Sequence, residues 1–127
     1  GSAPLLTETH QDFYNITGHQ ILERYGMTET NMNTSNPFHG ERKVGSVGKP
    51  LKDINIRINK TNGDKDTVLN KIGMIEIKGP NVFKGYLNNP EKTQEAFTKD
   101  GYFISNKTFS SIVKLLIFSG VFSLEGK

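Results

Sequence analysis

Residues 53–58, Asp-Ile-Asn-Ile-Arg-Ile, and residues 73–78, Gly-Met-Ile-Glu-Ile-Lys, decide the fold. In the first, Ile54, Ile56 and Ile58 alternate with Asn55 and Arg57. In the second, Ile75 and Ile77 alternate with Glu76 and Lys78. A period of two puts the isoleucines on one face and the polar residues on the other, as in a half-buried strand. Asn62-Gly63-Asp64 between them is a turn signal. Downstream, Val82 to Tyr86 reads as extended chain, and Asn89 caps a helix that has Pro90 in its first position. Ala96 and Phe97 face the core, and Lys99-Asp100-Gly101 turns the chain into Tyr102-Phe103-Ile104. Upstream, Val44, Val47 and Leu51 sit among Gly45, Gly48 and Pro50, and residues 27–42 are a polar loop long enough to suggest function. Gln20 to Arg24 is a short extended run into Tyr25-Gly26. Thr7 is expected to cap a helix that reaches Thr17, with Leu6, Phe13 and Ile16 as its apolar face and Gly18 as its left-handed stop. The mixture of helix and strand is an α/β pattern, and no repeat interrupts it.

The chain has 127 residues, a net charge of +3, 34% hydrophobic residues and no cysteine. The absent cysteines rule out a disulfide framework, a thiolate metal site and a cysteine nucleophile. The small positive excess is dispersed, with no basic stripe interleaved with aromatics, which argues against a nucleic-acid partner. The apolar run from Ile112 to Leu124 is too short and too interrupted for a membrane span, which needs about 20 residues. His10, His19 and His39 have no metal-ligand spacing and are expected at the surface or in caps.

Four stretches together resemble the adenylate-forming superfamily of acyl-CoA synthetases, luciferases and adenylation domains. They are Gly1-Ser2-Ala3-Pro4-Leu5, then Glu23-Arg24-Tyr25-Gly26-Met27-Thr28-Glu29-Thr30, then Gly45-Ser46-Val47-Gly48-Lys49-Pro50, and residues 73–80 running on through Gly85-Tyr86 to Pro90, Thr93 and Phe97. Their order and spacing carry the resemblance across residues 1–105. Within the superfamily, Leu22 to Pro37 and Lys78 to Tyr86 are similar to malonyl-CoA synthetases. The resemblance implies the C-terminal part of the large N-terminal adenylating domain: pieces of its sheet around residues 1–30 and a distorted β-barrel-like unit around residues 45–105. Residues 106–127 diverge and are set apart as a tail of uncertain origin.

The implied reaction is that of a malonate–CoA ligase. Malonate and ATP form malonyl-adenylate and diphosphate, and CoA then displaces AMP to give malonyl-CoA. Carried over residue by residue, Gly1, Ser2, Ala3 and Pro4 line the adenine slot, Tyr25 stacks on the adenine, and Gly26 and Met27 complete the nucleotide site. Thr28 donates to the α-phosphate, and Glu29 holds Mg²⁺. Arg24 grips the distal carboxylate of malonate. ATP and CoA are co-substrates, and the compartment is intracellular, either cytoplasm or mitochondrion.

Plainer readings stand beside these. Arg24 could pair with Glu23 or another surface carboxylate, Tyr25 could be a core aromatic, and Thr28 and Glu29 could open a helix. Gly85 and Tyr86 are expected to serve the fold rather than the chemistry. The sequence also departs from the family. Ser105, Asn106 and Lys107 stand where the family has Thr-Gly-Asp, and a lysine cannot accept hydrogen bonds from ribose. The family's phosphate loop and its lysine-bearing C-terminal domain lie outside these residues, so the chain alone is expected to be inactive. The alternatives are a non-catalytic truncated product that binds a nucleotide or partner weakly, and a ligase for another short acid such as methylmalonate.

Overall fold

A computed structural model describes residues 5–60 and 73–108. Helix α1, Thr7–Thr17, begins without a side-chain cap: Leu6 holds the capping position, so Thr7 is the first helical residue rather than the cap. Its end matches the sequence. Gly18 adopts φ 71°, a left-handed conformation that costs glycine no Cβ clash, and its N–H reaches the Tyr14 carbonyl at 2.8 Å. The expected apolar face is not a core face among the described residues. Leu6 and Ile16 are 66% and 83% exposed, and the buried residue of the helix is His10, which was expected at the surface or in a cap.

Strands β1, Arg24–Met27, and β2, Asn31–Ser35, form an antiparallel hairpin, and β3, Lys49–Pro50, pairs with β2. Sequence read residues 27–42 as loop. The strand there is Asn-Met-Asn-Thr-Ser, whose buried Asn33 and Thr34 satisfy their polar atoms within the protein and so need no apolar alternation. Asn33 donates to Thr30 Oγ1 at 2.7 Å, and Thr34 donates to the Val47 carbonyl at 2.8 Å.

Strands β4, Asn55–Lys60, β5, Gly73–Lys78, and β6, Phe103–Thr108, form a second antiparallel sheet in that order. Ile56 faces Ile77 and Ile58 faces Ile75 across the ladder, and Ile54, Ile56, Ile75 and Ile77 make the core cluster. Glu76 breaks the expected alternation. It is buried because Arg57 Nε and Asn59 Nδ2 donate to its two oxygens. Arg57 also forks onto Asp100, and its guanidinium lies 3.8 Å from the Tyr102 ring centre.

Val82 to Tyr86 is irregular chain rather than strand. Helix α2, Pro90–Glu95, starts as expected, with Asn89 accepting from the Lys92 N–H at 3.1 Å. The Lys99-Asp100-Gly101 turn also forms, and Thr98 and Tyr102 close it. Among the described residues the two sheets are open and three-stranded, and they form no closed barrel. Strand β6 runs without a break from the family-like residues through Thr108, so the boundary drawn after Ser105 does not coincide with an element end. The run Ile112 to Leu124 lies outside the described residues. No helix among them is long and apolar enough to cross a membrane.

Candidate functional site

The β1–β2 hairpin gathers the candidate residues from 24 to 30. Its loop is Thr28-Glu29-Thr30, closed by the Thr30 N–H on the Met27 carbonyl at 3.2 Å and followed by Asn31 at φ 55°. A three-residue loop with a left-handed residue after it is a standard hairpin connection, and asparagine tolerates that conformation. Thr28 and Glu29 therefore belong to a hairpin turn and do not open a helix. Gly26 sits where the register slips, between Tyr25 and Gly26. A Cβ there would run into the Asn31 carbonyl oxygen, so any side chain would push the two strands apart.

Arg24 is exposed at the start of β1, and its guanidinium has no hydrogen-bond or ion-pair partner among the described residues. The expected competitor, Glu23, instead accepts from the Gly45 N–H at 2.9 Å. Tyr25 takes the place of a core aromatic. Its half-buried ring packs against the isoleucine cluster beside Val47 and Val82. Burial pushes its phenol up, a side-chain hydrogen bond with Ser105 pulls it down, and the Glu29 charge raises it further. The Thr28 side chain is exposed at the tip of the turn. Gly1, Ser2, Ala3 and Pro4 lie outside the described residues.

Glu29 is half-buried and clamped from a segment 57 positions downstream. The Phe83 N–H donates to its carbonyl at 2.8 Å, and the Tyr86 phenol donates to its Oε1 at 3.2 Å. Asn81 Nδ2 donates to the Thr30 carbonyl and, at 3.0 Å, to Asn33 Oδ1. Burial is the first cause that pushes the Tyr86 phenol up, with the Glu29 charge second, so the phenol keeps its proton at neutral pH. The role of fold alone given to Tyr86 from sequence leaves out this contact. Residues 29 and 86 are 57 positions apart, and no local spacing signals the pairing.

One Glu29 oxygen is engaged by Tyr86, and no group of three or more His, Cys, Asp or Glu that could hold a metal occurs among the described residues. A lone carboxylate suits Mg²⁺ completed by substrate phosphates and water better than an all-protein cage. The turn presents an exposed hydroxyl and a half-buried carboxylate, and the guanidinium lies at the other end of the hairpin, where Arg24 pairs with Ser35.

The family model described as AMP-binding enzyme matches residues 1–87. The chain is 47% identical over 103 residues to a malonate–CoA ligase of Arabidopsis thaliana, an alignment that covers 81% of this chain and 16% of the relative. ATP-bound MatB of Rhodopseudomonas palustris superposes with a TM-score of 0.76 at 54% identity, covering 85% of this chain and 22% of that one. A malonyl-CoA ligase bearing methylmalonyl-CoA and AMP superposes with a TM-score of 0.73 at 42% identity, over 85% of this chain and 23% of that one. The chain thus spans under a quarter of the length of each.

Proposed function

The chain belongs to the AMP-binding enzyme family, and from that premise we propose that it supplies the acid- and metal-holding hairpin of an AMP-forming malonate–CoA ligase. The observation that carries the reading is the unpaired Arg24 guanidinium on the hairpin whose turn presents Thr28 and Glu29. A dicarboxylate needs a partner for the carboxylate that does not react, and a guanidinium holds one through two parallel hydrogen bonds.

In the first half-reaction a malonate oxygen attacks the α-phosphorus of ATP. The new oxygen–phosphorus bond gives malonyl-adenylate as the bond to the bridging oxygen breaks and diphosphate leaves. In the second, the CoA sulfur attacks the acyl carbon, its proton is lost, and AMP departs. Bound Mg²⁺ would neutralise phosphate charge as the anions approach. Arg24 orients the acid by its distal end. The Thr28 hydroxyl donates to an α-phosphate oxygen. Glu29 offers a hard oxygen to the cation. Tyr25 gives the adenine an aromatic surface stiffened from behind by isoleucines.

The test places residues 1–105 in R. palustris MatB in place of the aligned segment and follows malonate-dependent exchange of labelled diphosphate into ATP. The graft is expected to exchange. Arg24→Gln is expected to raise the malonate KM by about 10–100-fold, as for a lost charged hydrogen bond, and to leave the ATP KM unchanged. A folded graft that binds ATP but ignores malonate overturns the reading, as does an Arg24→Gln graft with an unaltered malonate KM. Methylmalonate is the second reading, favoured by the neighbour that carries methylmalonyl-CoA. Competition between the two acids in the same graft ranks them. The isolated chain is expected to show no exchange.

A further inference from the structure

We propose that Tyr86 is a positioning residue for the Glu29 carboxylate: its phenol fixes Oε1 and leaves Oε2 for a divalent cation. The inference rests on the reading of Glu29 as the cation's carboxylate and assigns the support of that carboxylate to a residue 57 positions downstream.

Tyr86 is itself immobilised on several sides. Its N–H donates to Thr93 Oγ1 at 2.9 Å, and that hydroxyl donates in turn to the Asn89 carbonyl at 2.9 Å. Its ring meets Phe83 edge-on, with centres 4.9 Å apart, and Lys92 Nζ lies 4.2 Å from the ring centre. Phe83 is backed by Phe97 and Phe103, so the support reaches into the second sheet. The phenol that emerges from this packing is directed at Glu29 Oε1. The Phe83 N–H holds the Glu29 backbone at the same time, so main chain and carboxylate are fixed from one segment. Oε2 has no partner among the described residues. A carboxylate with one oxygen anchored in this way presents the other in a single orientation, which lowers the entropy lost when a cation binds.

The chain with ¹³C-labelled glutamate carboxyls is titrated with Mn²⁺ in the presence of ATP, and paramagnetic broadening is read at Glu29. Wild type is expected to broaden there. Tyr86→Phe removes one oxygen and keeps the ring against Phe83 and under Lys92, and it is expected to need about 10-fold more Mn²⁺ for the same broadening. Tyr86→Leu removes the ring as well and serves as the packing control. If Tyr86→Phe titrates like wild type while Tyr86→Leu weakens, Tyr86 serves packing alone and the inference is overturned. Equal titration in all three also overturns it and leaves the reading of Glu29 standing. If wild-type Glu29 does not broaden at all, the cation reading falls, and this inference falls with it.

Discussion

In and beside the sheet of β1, β2 and β3, the buried side chains include Thr30, Asn33, Thr34, Asn36 and Ser46. In and beside the sheet of β4, β5 and β6 they include Ile54, Ile56, Ile75, Ile77 and Phe103, with Glu76 and Ser105 among them. The first is organised by directional bonds and the second by excluded area. Asn36 shows the first mode: its Nδ2 donates to the Glu23 and Ser46 carbonyls while its Oδ1 accepts from the Lys43 N–H. Hydrogen bonds fix angles as well as distances, so a polar sheet can hold a turn in one geometry without an apolar face of its own. The apolar sheet holds the isoleucine core and, through Phe103, backs the clamp residue Phe83.

Replacing Ile75, which is fully buried, with alanine is expected to cost about 4 kcal/mol in a urea titration, because methyl groups are lost and a cavity remains. An equal cost for Thr34→Ala would erase the distinction between the sheets. Arg57→Met leaves the buried Glu76 with Asn59 as its remaining donor and is expected to cost about 3 kcal/mol, read as a fall in the urea midpoint. Asn81→Ala removes the amide that spans the sheets and is expected to cost about 2 kcal/mol. Faster amide exchange in residues 28–35 than in β5 would locate that loss in the polar hairpin. Asn31→Ala keeps the Cβ in the left-handed region but removes the side-chain amide that makes this conformation tolerable for asparagine, and it is expected to cost about 1 kcal/mol, while Asn31→Gly should be nearly neutral in the same titration.

The smallest effect is one of pH. Hydrogen bonds from Arg57, then Thr98, hold the Asp100 carboxyl well below the usual carboxylate range. A lowered folded-state value contributes stability above the unfolded value, about 3.9, and loses it as pH falls through the folded one. The urea midpoint should therefore decline below about pH 4, and Asp100→Asn should remove part of that decline.

The sequence showed elements whose signals are local. The Gly18 stop, the alternation around Ile56 and Ile77, the Asn89-Pro90 start and the Lys99-Asp100-Gly101 turn each depend on neighbours within a few residues. Strand β2 was hidden because its buried residues are the consecutive, polar Asn33 and Thr34, whose partners include Val47 and Asn81. Glu76 looked solvent-facing because its two donors, Arg57 and Asn59, come from another strand. In the candidate site, the resemblance supplied Arg24 to Glu29 as a contiguous stretch. The residues that hold Glu29 lie more than fifty positions away and carry no motif linking them to it.

Strand β6 follows β5 in one register with Phe103 opposite Ile77 and Ile104 opposite Glu76, then slips before Thr108 comes opposite Met74. Main-chain pairing asks only for an amide and a carbonyl at each rung, so β5 acts as a template indifferent to the side chains it aligns. The residues after Ile104 therefore rejoin that template in a displaced register, and the ladder absorbs the slip as a local bulge rather than by ending the strand.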